Sequence, residues 1–344
     1  MAVIIPCAGQ SSRYPGTRPK YLLTVSNGEC LFERAANLYV DCTDVHFVIL
    51  REHAEKYDAE IAINKVYGHR DNVHIHILDQ PTSGPAETSY HVAMKLSDTP
   101  IFIQDCDSFF TSSLSEENYV CTVNLKDNLD VINVAAKSFA VTNEQGLLTN
   151  IVEKSVVSNQ ICVGGYGFKS ADTFCRSFER LSEIHEGEIF VSHIIKELLQ
   201  TNVFVAKDVQ DYVDLGTYKE FVEYNKQRQT IFCDIDGTVF YNQSKLFSND
   251  YSNPPRPIPG AVKYLLQKQE KGATIIFTTS RPSKFKDTTE KGLEDCGFKD
   301  IRVLYDIPHA PRVIINDTSI TNPYPSATSI NVPRDDNEYW SKMI

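Results

Sequence analysis

The sequence lacks a long apolar run, a Cys-x-x-Cys pair, an internal repeat and a low-complexity tract. Without the apolar run we expect no membrane-spanning helix, and with no secretory leader visible we expect a cytoplasmic protein without a membrane partner. The nine cysteines are an odd number with no Cys-x-x-Cys spacing, which favours reduced thiols. Cys7, Cys106 and Cys233 are expected to be small buried apolar residues.

Positive charge is also scarce, because the 344 residues carry a net charge of −11. Residues 230–344 hold 14 basic and 14 acidic residues, so residues 1–229, with 20 and 31, carry all of it. Neither part is basic, which argues against a nucleic-acid partner, since such binding depends on cations that neutralise phosphates. The length predicts two domains of ~150 residues each.

The stretch DIDGT at 234–238 follows an apolar run at 230–233 that predicts a short buried strand. Of two carboxylates one residue apart, the first can attack phosphorus and the second can pass a proton to the leaving oxygen. Gly237 permits a sharp turn, and Thr238 offers a hydroxyl and an N–H to phosphate oxygens. A strand ending in an ordinary Asp-Gly turn gives the same pattern.

The stretch resembles motif I of the haloacid-dehalogenase (HAD) phosphatases, and two later segments resemble motifs II and IV. An expected strand at 273–277 ends in TTSRP, where Thr279 is favoured over Thr278 as the hydroxyl that binds the transferred phosphoryl group. A second expected strand, at 313–315, is followed by Asp317, the acidic residue of motif IV. The gaps between these motifs are too short for a separate cap domain, so the resemblance implies a capless fold.

The resemblance also implies a role for each of these residues. Asp234 would be the nucleophile and Asp236 the proton shuttle, with Mg²⁺ held by Asp234, Asp317 and the main-chain carbonyl of Asp236. The basic residue of motif III is left open. Arg312 is the candidate, and the lysines that follow motif II are the alternative.

The first domain opens with an apolar run at 2–5 that leads into the loop PCAGQSSR at 6–13. A strand that feeds a Gly/Ser loop with cations can wrap phosphates with N–H groups, hydroxyls and charge. Together with Lys20, the loop resembles the signature of the sugar-phosphate nucleotidyltransferases, the pyrophosphorylase family. Ser11 stands where that family usually has a second glycine, and the gap from Arg13 to Lys20 is shorter than usual.

This second resemblance implies that Arg13 and Lys20 are the catalytic cations. Expected strands and helices alternate along the domain, including one helix over 52–66, which predicts a mostly parallel sheet. His74 and His76 have a metal-like spacing, but a solvated strand face is favoured. The implied nucleotide-binding residues are Ala8, Gly9, Ser11, Ser12, Gln80 and Gly84.

Further matches follow in the order of the family. A strand at 100–104 leads to Asp107, which matches the family's Mg²⁺ ligand, and Asp105 is read as a capping or turn residue. The segment DYVDLGT at 211–217 supplies the second ligand, Asp214. The residues that match the family's acceptor pocket are Glu153, Lys154 and Gly165.

The motifs predict an α/β protein with two Rossmann-like domains, a mostly parallel or mixed-sheet nucleotidyltransferase fold at 1–228 and a capless HAD fold at 229–344. The expected enzyme is bifunctional and Mg²⁺-dependent. It would transfer a nucleotidyl group from a nucleoside triphosphate, with CTP or UTP favoured, to a sugar or polyol phosphate and release pyrophosphate. It would also hydrolyse a phosphomonoester before or after that step, for capsule or surface-polysaccharide precursors.

Two other functions stay open for the second domain. A nucleic-acid end-processing 3′-phosphatase has a similar Thr-Ser-Arg motif, although the acidic first domain counts against it. A non-catalytic regulatory or assembly module is the other, against which the intact Asp234, Asp236 and Asp317 argue. The sequence leaves open the base, the acceptor and whether the protein is a homo-oligomer.

Overall fold

The computed structural model describes residues 1–128, 133–243, 251–317 and 327–343. The chain divides into two compact units, Met1–Phe221 and Val222–Ile344. The division lies within the helix Tyr218–Gln227, and the predicted boundary at 228/229 lies just after that helix.

The first unit alternates strands and helices, as the sequence predicted. Its strands are β1 (Ala2–Pro6), β2 (Asp44–Leu50), β3 (Val73–Leu78), β4 (Ile101–Gln104), β5 (Ser108–Thr111), β6 (Tyr119–Asn124), β7 (Ser138–Thr142), β8 (Leu148–Glu153), β9 (Gln160–Phe168), β10 (Val205–Asp208) and β11 (Gln210–Asp214). Its helices are α1 (Leu31–Ala36), α2 (Arg51–Tyr57), α3 (Ala59–Tyr67), α4 (Pro85–Ala93), α5 (Ala171–Ile184), α6 (Val191–Leu198) and α7 (Tyr218–Gln227), which continues into the second unit.

The main sheet is mixed. Its strand order is β10-β6-β9-β4-β1-β2-β3, and β7, which carries β8, pairs with β9. Strands β4, β1, β2 and β3 run parallel, whereas β9 runs antiparallel to both β4 and β6. Strands β5 and β11 form a separate antiparallel pair. An α/β fold with a mixed sheet is therefore confirmed for the first unit.

Helices cover both faces of this sheet. Successive residues of a strand face opposite sides, so Phe47 and Val48 of β2 contact different layers. Phe47 packs against Phe32 of α1 and Tyr67 of α3, with ring centroids 5.8 and 5.9 Å apart. Val48 joins the core that the sheet shares with α4, α5 and α6. Full burial of one such side chain stabilises the fold by ~1.5–3 kcal/mol.

The single helix predicted over 52–66 is wrong. The structure has two helices, α2 and α3, which meet at Asp58. Asp58 has a φ of +53°, in the left-handed region, which interrupts the helical hydrogen bonding. Aspartate is one of the few residues besides glycine that enter this region readily, so the apolar spacing continues across a break that it does not reveal.

The second unit holds a smaller parallel sheet of order β12-β13-β14. The strands predicted at 230–233 and 273–277 are confirmed as β12 and β13, and their inner face packs on α8 and α9 through residues such as Phe277 and Leu265. The elements are β12 (Thr230–Asp234), β13 (Thr274–Thr278), β14 (Arg302–Leu304), α8 (Pro259–Glu270), α9 (Lys286–Asp295) and α10 (Asn337–Ser341).

The strand predicted at 313–315 does not form. Val313 and Ile315 are 81% and 93% exposed, and β14, which was not predicted, takes the third place in the sheet. A run of β-branched residues favours extended backbone, but a strand also needs a neighbour with free N–H and C=O groups beside it. Strand β12 consequently lies at an edge of the described sheet, where Phe232 is 54% exposed.

Two further expectations concern cysteine and membranes. All nine cysteines are unpaired, and Cys7, Cys106 and Cys233 are buried, as predicted. Among the residues that the structure describes, no helix is both long and apolar enough to cross a membrane.

Candidate functional site

An open pocket of about 650 Å³ lies in the first unit, beyond the carboxyl ends of β1 and β4. Ligands of open α/β sheets bind at this edge. Most of the predicted residues of the first unit line the pocket, namely Gly9, Ser11, Ser12, Arg13, Lys20, Gly84, Asp107, Glu153, Lys154 and Asp214.

Three predicted binding residues lie outside this lining. Ala8 is buried in the core between lining neighbours, and Gln80 is exposed. Gly165 faces Phe110, since a Cβ there would lie 2.5 Å from the phenyl ring. Gly164 lines the pocket instead, because adjacent residues of a strand face opposite sides. In this structure Gly164, the neighbour of the predicted Gly165, is therefore the glycine that faces the pocket.

The loop at 6–13, here called the phosphate-type loop, has a glycine-like backbone at Ser11, where the nucleotidyltransferase signature usually has a second glycine. Ser11 has a φ of +52°, and its Oγ accepts a hydrogen bond from the backbone N–H of Lys20 at 2.9 Å. A left-handed conformation costs a residue with a Cβ about 1–2 kcal/mol, and one hydrogen bond of about 1 kcal/mol offsets part of that. The serine therefore also ties the loop to Lys20.

Two carboxylates and one guanidinium surround a single space beside Gly216. The β5–β11 pairing sets Asp214 opposite Ser108, which brings Asp214 next to Asp107. A Cβ at position 216 would lie 3.1 Å from Asp214 Oδ1, 3.4 Å from Asp107 Oδ2 and 3.5 Å from Arg13 Nη1. A residue without a side chain leaves this space to a ligand.

This arrangement fits a magnesium ion that also takes ligands from substrate. Within the described ranges no group of three or more His, Cys, Asp or Glu side chains could hold a metal by itself. Mg²⁺ in nucleotide enzymes is commonly held by one or two carboxylates, with water and phosphate oxygens completing the octahedron. Asp107 and Asp214 are suited to that partial set.

Each of these carboxylates forms an ion pair with a lysine. Lys20 Nζ contacts Asp107 Oδ2, and Lys137 Nζ contacts Asp214 Oδ2. All four side chains are less than one-fifth exposed, whereas Arg13, whose Nη2 lies 3.9 Å from Asp107, is 58% exposed. The sequence reading missed Lys137, because the residue precedes β7 with no motif around it.

The charges shift the pKa values of the buried groups. Burial alone lowers the pKa of Lys20, but the Asp107 carboxylate outweighs it, so the pKa of Lys20 is raised and the ammonium persists at neutral pH. Burial alone raises the pKa of Asp107, but Lys20, Arg13 and Lys137 bring that pKa below its ordinary value. Both pKa shifts favour the charged forms of Lys20 and Asp107.

Asp105, which could be a capping or turn residue by its sequence context, lines the same pocket. Burial first, and then the nearby charge of Asp107, raise the pKa of Asp105 to about 7. Its backbone N–H donates to the carbonyl of Gly164 at 2.8 Å. Gly164 has a φ of +84°, and a Cβ there would lie 2.6 Å from Asp105 Oδ2, so glycine is needed opposite this carboxyl.

A second cluster lies where β7 begins and β8 ends. The hydroxyls of Ser138 and Ser192 both donate to Glu153 Oε2, the latter at 2.7 Å. The next residue, Lys154, has a φ of +53°, and its Nζ lies 4.1 Å from the ring centroid of Phe190. Left-handed backbone at a residue with a side chain is often a sign of a functional site. Glu153 and Lys154 thus enter the pocket in fixed positions.

In the second unit, Arg281 clamps Asp236. The guanidinium is 0% exposed and donates from Nε to Asp236 Oδ2 at 2.9 Å and from Nη2 to Oδ1 at 2.7 Å. Thr279 Oγ1 also donates to Asp236 at 3.3 Å, so the favoured threonine does reach the site. Arg281 is further bound by Thr289 at 3.1 Å and lies 4.5 Å from the ring centroid of Tyr251. Arg281 is the arginine of the TTSRP segment, but the sequence predicted no role for it.

Asp234 has a looser environment at the end of β12. Arg312 Nη2 lies 3.0 Å from Oδ1, and Thr238 Oγ1 donates to Oδ2 at 3.3 Å. Burial raises the pKa of Asp234, and Arg312 opposes that shift without cancelling it. Lys286, one of the alternative motif III residues, lies 4.0 Å from Glu290 instead. Arg312 is therefore the predicted candidate that reaches Asp234.

The magnesium ligands predicted for the second unit have different surroundings in this structure. Asp317 is exposed and follows the segment at 313–315, which forms no strand. Asp234 faces Arg312, Asp236 is held by Arg281, and in the described residues no three acids gather as a metal site. The magnesium ligands of this unit therefore stay a prediction.

Solved structures of low sequence identity have the fold of the first unit. A nucleoside-diphosphate-sugar pyrophosphorylase from Vibrio cholerae RC9 matches with a TM-score of 0.55 and 19% identity, over 65% of this chain and 99% of that chain. An inositol-1-phosphate CTP transferase from T. maritima matches with a TM-score of 0.52 and 14% identity, over 64% and 90%. A UDP-glucose pyrophosphorylase complexed with UDP-glucose matches with a TM-score of 0.52 and 18% identity, over 66% and 99%.

No protein-family model and no curated protein matches the chain. At such identities the structural likeness concerns the fold alone. About two thirds of the chain therefore has the α/β fold found in sugar-phosphate nucleotidyltransferases.

Proposed function

We propose that the first unit transfers a nucleotidyl group from a nucleoside triphosphate to a phosphorylated sugar or polyol, with release of pyrophosphate. The observation that carries this proposal is the meeting of Asp107, Asp214 and Arg13 beside Gly216, in a pocket that Lys20 also lines. The order of the sequence motifs and the likeness of the fold to nucleotidyltransferases support it.

The reaction needs no protein nucleophile. An oxygen of the acceptor phosphate attacks the α-phosphorus in line, and the bond to the bridging oxygen breaks as pyrophosphate leaves with the electron pair. Arg13 and Lys20 offset the charge that develops on the phosphate oxygens, in positions set before the substrates bind. Mg²⁺, held by Asp107 and Asp214 when bound, would supply further positive charge at the triphosphate.

The other end of the pocket favours a hydroxylated acceptor. Glu153 Oε2 accepts from two serine hydroxyls, and its second carboxylate oxygen, Oε1, can accept hydrogen bonds from hydroxyl groups of a sugar or polyol. Lys154 adds a cation for the acceptor's phosphate. For the nucleotide we favour CTP or UTP.

A substrate screen tests the transferase directly. The purified chain is incubated with CTP, UTP, GTP or dTTP and a panel of sugar and polyol phosphates, and pyrophosphate release is measured. We expect release with at least one pair, its loss in Asp107→Asn and Asp214→Asn, and its retention in Asp79→Asn, which changes an exposed carboxylate paired with Arg51. No release with any pair would contradict the proposal.

We also propose that the second unit is a capless HAD-type phosphatase, which would trim a phosphomonoester before or after nucleotidyl transfer in the making of surface-polysaccharide precursors. Asp234 would attack the phosphorus, the alkoxide would leave, and water would hydrolyse the aspartyl phosphate. Arg312, 3.0 Å from Asp234, would offset the charge of the incoming ester. Asp236 could carry the proton only after leaving Arg281.

A non-catalytic second unit is the alternative, and the Arg281 clamp on Asp236 favours it. Beryllium fluoride, which mimics a phosphoryl group on aspartate, decides between the two. A phosphatase should form the adduct on Asp234, and Asp234→Asn should hydrolyse no p-nitrophenyl phosphate. Absence of both the adduct and the hydrolysis in the wild-type chain would assign the unit a structural or regulatory role.

A further inference from the structure

We propose that Lys137 binds the phosphate of the acceptor, and that Asp214 holds its ammonium group until metal and substrates enter. This inference deepens the proposed transferase and rests on it. It assigns the two lysines that pair with the pocket's aspartates to different substrates, with Lys20 on the nucleotide side and Lys137 beside Lys154 on the acceptor side.

Lys137 is placed to act on a ligand of the pocket. Its ammonium contacts Asp214 Oδ2, its side chain is 18% exposed, and the residue belongs to the lining. Asp214 in turn lies beside the space at Gly216, where Asp107 and Arg13 also meet. A phosphate drawn to the space beside Gly216 therefore comes within the field of this ammonium.

The backbone places Lys137 with the acceptor cluster. Its carbonyl accepts the backbone N–H of Lys154 at 3.0 Å, and the following residue, Ser138, donates its hydroxyl to Glu153. Lys20, by contrast, is tied to the phosphate-type loop through Ser11. The two lysines thus extend into the pocket from opposite substrate sides.

Asp214 cannot pair fully with the Lys137 ammonium and a metal ion at the same time. A divalent ion on Asp214 competes with the ammonium for the same carboxylate, and a buried ammonium that loses its partner costs several kcal/mol. Lysine has a flexible four-carbon stem and three donors, so the freed group can turn to a new anion. The acceptor phosphate is the anion that the reaction brings to this end of the pocket. Metal binding and acceptor binding are consequently coupled through Lys137.

The test measures binding rather than turnover. Lys137→Met removes the charge at similar length, Lys137→Arg keeps it, and Lys169→Met is the control, since Lys169 is exposed and pairs with Glu117. Mn²⁺ affinity is measured by electron paramagnetic resonance on the free proteins. Inorganic phosphate, as a probe of the acceptor site, is then titrated by calorimetry with Mn²⁺ and a non-hydrolysable α,β-methylene triphosphate already bound.

We expect Lys137→Met to bind Mn²⁺ more tightly than wild type and to bind phosphate about tenfold more weakly, the effect of losing one charge-assisted hydrogen bond. Lys137→Arg should retain most of the phosphate affinity, and Lys169→Met should match wild type in both measurements. Circular dichroism confirms that each variant is folded.

Two results would contradict different statements. If Lys137→Met binds phosphate as wild type does, Lys137 only neutralises Asp214, and this inference is overturned while the transferase proposal stands. If Asp214→Asn leaves Mn²⁺ affinity unchanged, Asp214 is not a metal ligand, and it is the metal assignment of the proposed transferase that fails.

Discussion

The two candidate sites neutralise their carboxylates in different ways. In the first unit, Asp107 and Asp214 each pair with one lysine ammonium at the wall of an open pocket. In the second unit, both oxygens of Asp236 are held by the fully buried guanidinium of Arg281. An ammonium is a point charge on a flexible stem, whereas a guanidinium fixes a carboxylate through a rigid fork. The same charge pairing can therefore leave a carboxylate free to change partners or fix it in place.

We propose that the contrast distinguishes carboxylates that are available to a ligand from a carboxylate whose pairing stabilises the fold. Lysine-paired acids in a pocket can exchange their partner for a metal or a phosphate. When a carboxylate is paired with a buried arginine, breaking the pair lowers the free energy of unfolding much more, because one charge stays in the interior without a partner. Substitutions at the second unit's arginine–carboxylate pair should accordingly affect stability, and substitutions at the first unit's lysine–carboxylate pairs should affect catalysis.

Breaking the clamp should have the largest effect on stability. Arg281→Met leaves Asp236 without its partner and should lower the free energy of unfolding of the second unit by about 3–5 kcal/mol. Trp340, the one tryptophan of the chain, is buried in this unit, so its fluorescence during urea unfolding reports on it. Adding Asp236→Asn should restore part of the loss. Arg302→Met, at an exposed position, is the control, and equal stability of both arginine variants would refute the clamp.

Removing a lysine from the first site should act on catalysis instead. Lys20→Ala should cost about 2.7–4 kcal/mol in the chemical step, as for the loss of one preorganised donor, and appear as a lower kcat. The matched variant Lys169→Ala should leave kcat unchanged. A change confined to KM would mean that Lys20 binds ground state and transition state equally.

The first unit should lose folding stability at acid pH. His46 donates or accepts a ring hydrogen bond with His76 at 3.0 Å, and burial, followed by the charges of His74 and His76, lowers the pKa of His46 to about 4. As the pH falls through about 6.5, His46 binds a proton in the unfolded chain, whereas in the folded unit it stays neutral until the pH approaches 4. Stability is fully present above about pH 6.5 and falls by about 3 kcal/mol as the pH drops towards 4.

Urea unfolding followed by circular dichroism at pH 7.5 and pH 4.5 checks this linkage. His46→Gln should reduce the loss at the lower pH, and His309→Gln, an exposed position in the second unit, should not. An unchanged pH dependence in His46→Gln would remove His46 as the cause.

The smallest effect concerns the phosphate-type loop. Both Ser11→Gly and Ser11→Ala lose the hydrogen bond from the Lys20 N–H, but Ser11→Gly accepts the left-handed backbone without strain, whereas Ser11→Ala keeps the strain. We expect Ser11→Ala to weaken nucleotide binding by about 1 kcal/mol, measured by calorimetry, and Ser11→Gly to stay close to wild type. The opposite order would show that the hydroxyl, rather than the backbone conformation, is dispensable.

Much of the fold follows from local patterns. Short apolar runs predicted β1, β12 and β13, and strand-end aspartates predicted where Asp107 and Asp214 would lie. The failures arise where distant parts of the chain decide. Residues 313–315 have strand-forming side chains, but no ladder forms beside them in the described structure. The break at Asp58 depends on a single backbone angle that apolar spacing does not encode.

Prediction of the candidate sites from the sequence fails for the same reason. Lys137 stands 77 residues from Asp214 and carries no motif, so only the β7–β8 and β5–β11 pairings bring the two together. Arg281 was visible beside Thr279, but its role depends on complete burial, which sequence does not give. Motifs locate groups at strand ends, and packing decides which of them are held and which remain free to react.

The most direct measurement follows both activities in three proteins: wild type, Asp107→Asn and Asp234→Asn. Pyrophosphate release is measured with the active substrate pair, and phosphate release with p-nitrophenyl phosphate. Two independent sites predict that Asp107→Asn loses only the first activity and Asp234→Asn only the second. Retained pyrophosphate release in Asp107→Asn would contradict the central claim that the first unit is a transferase built around this carboxylate.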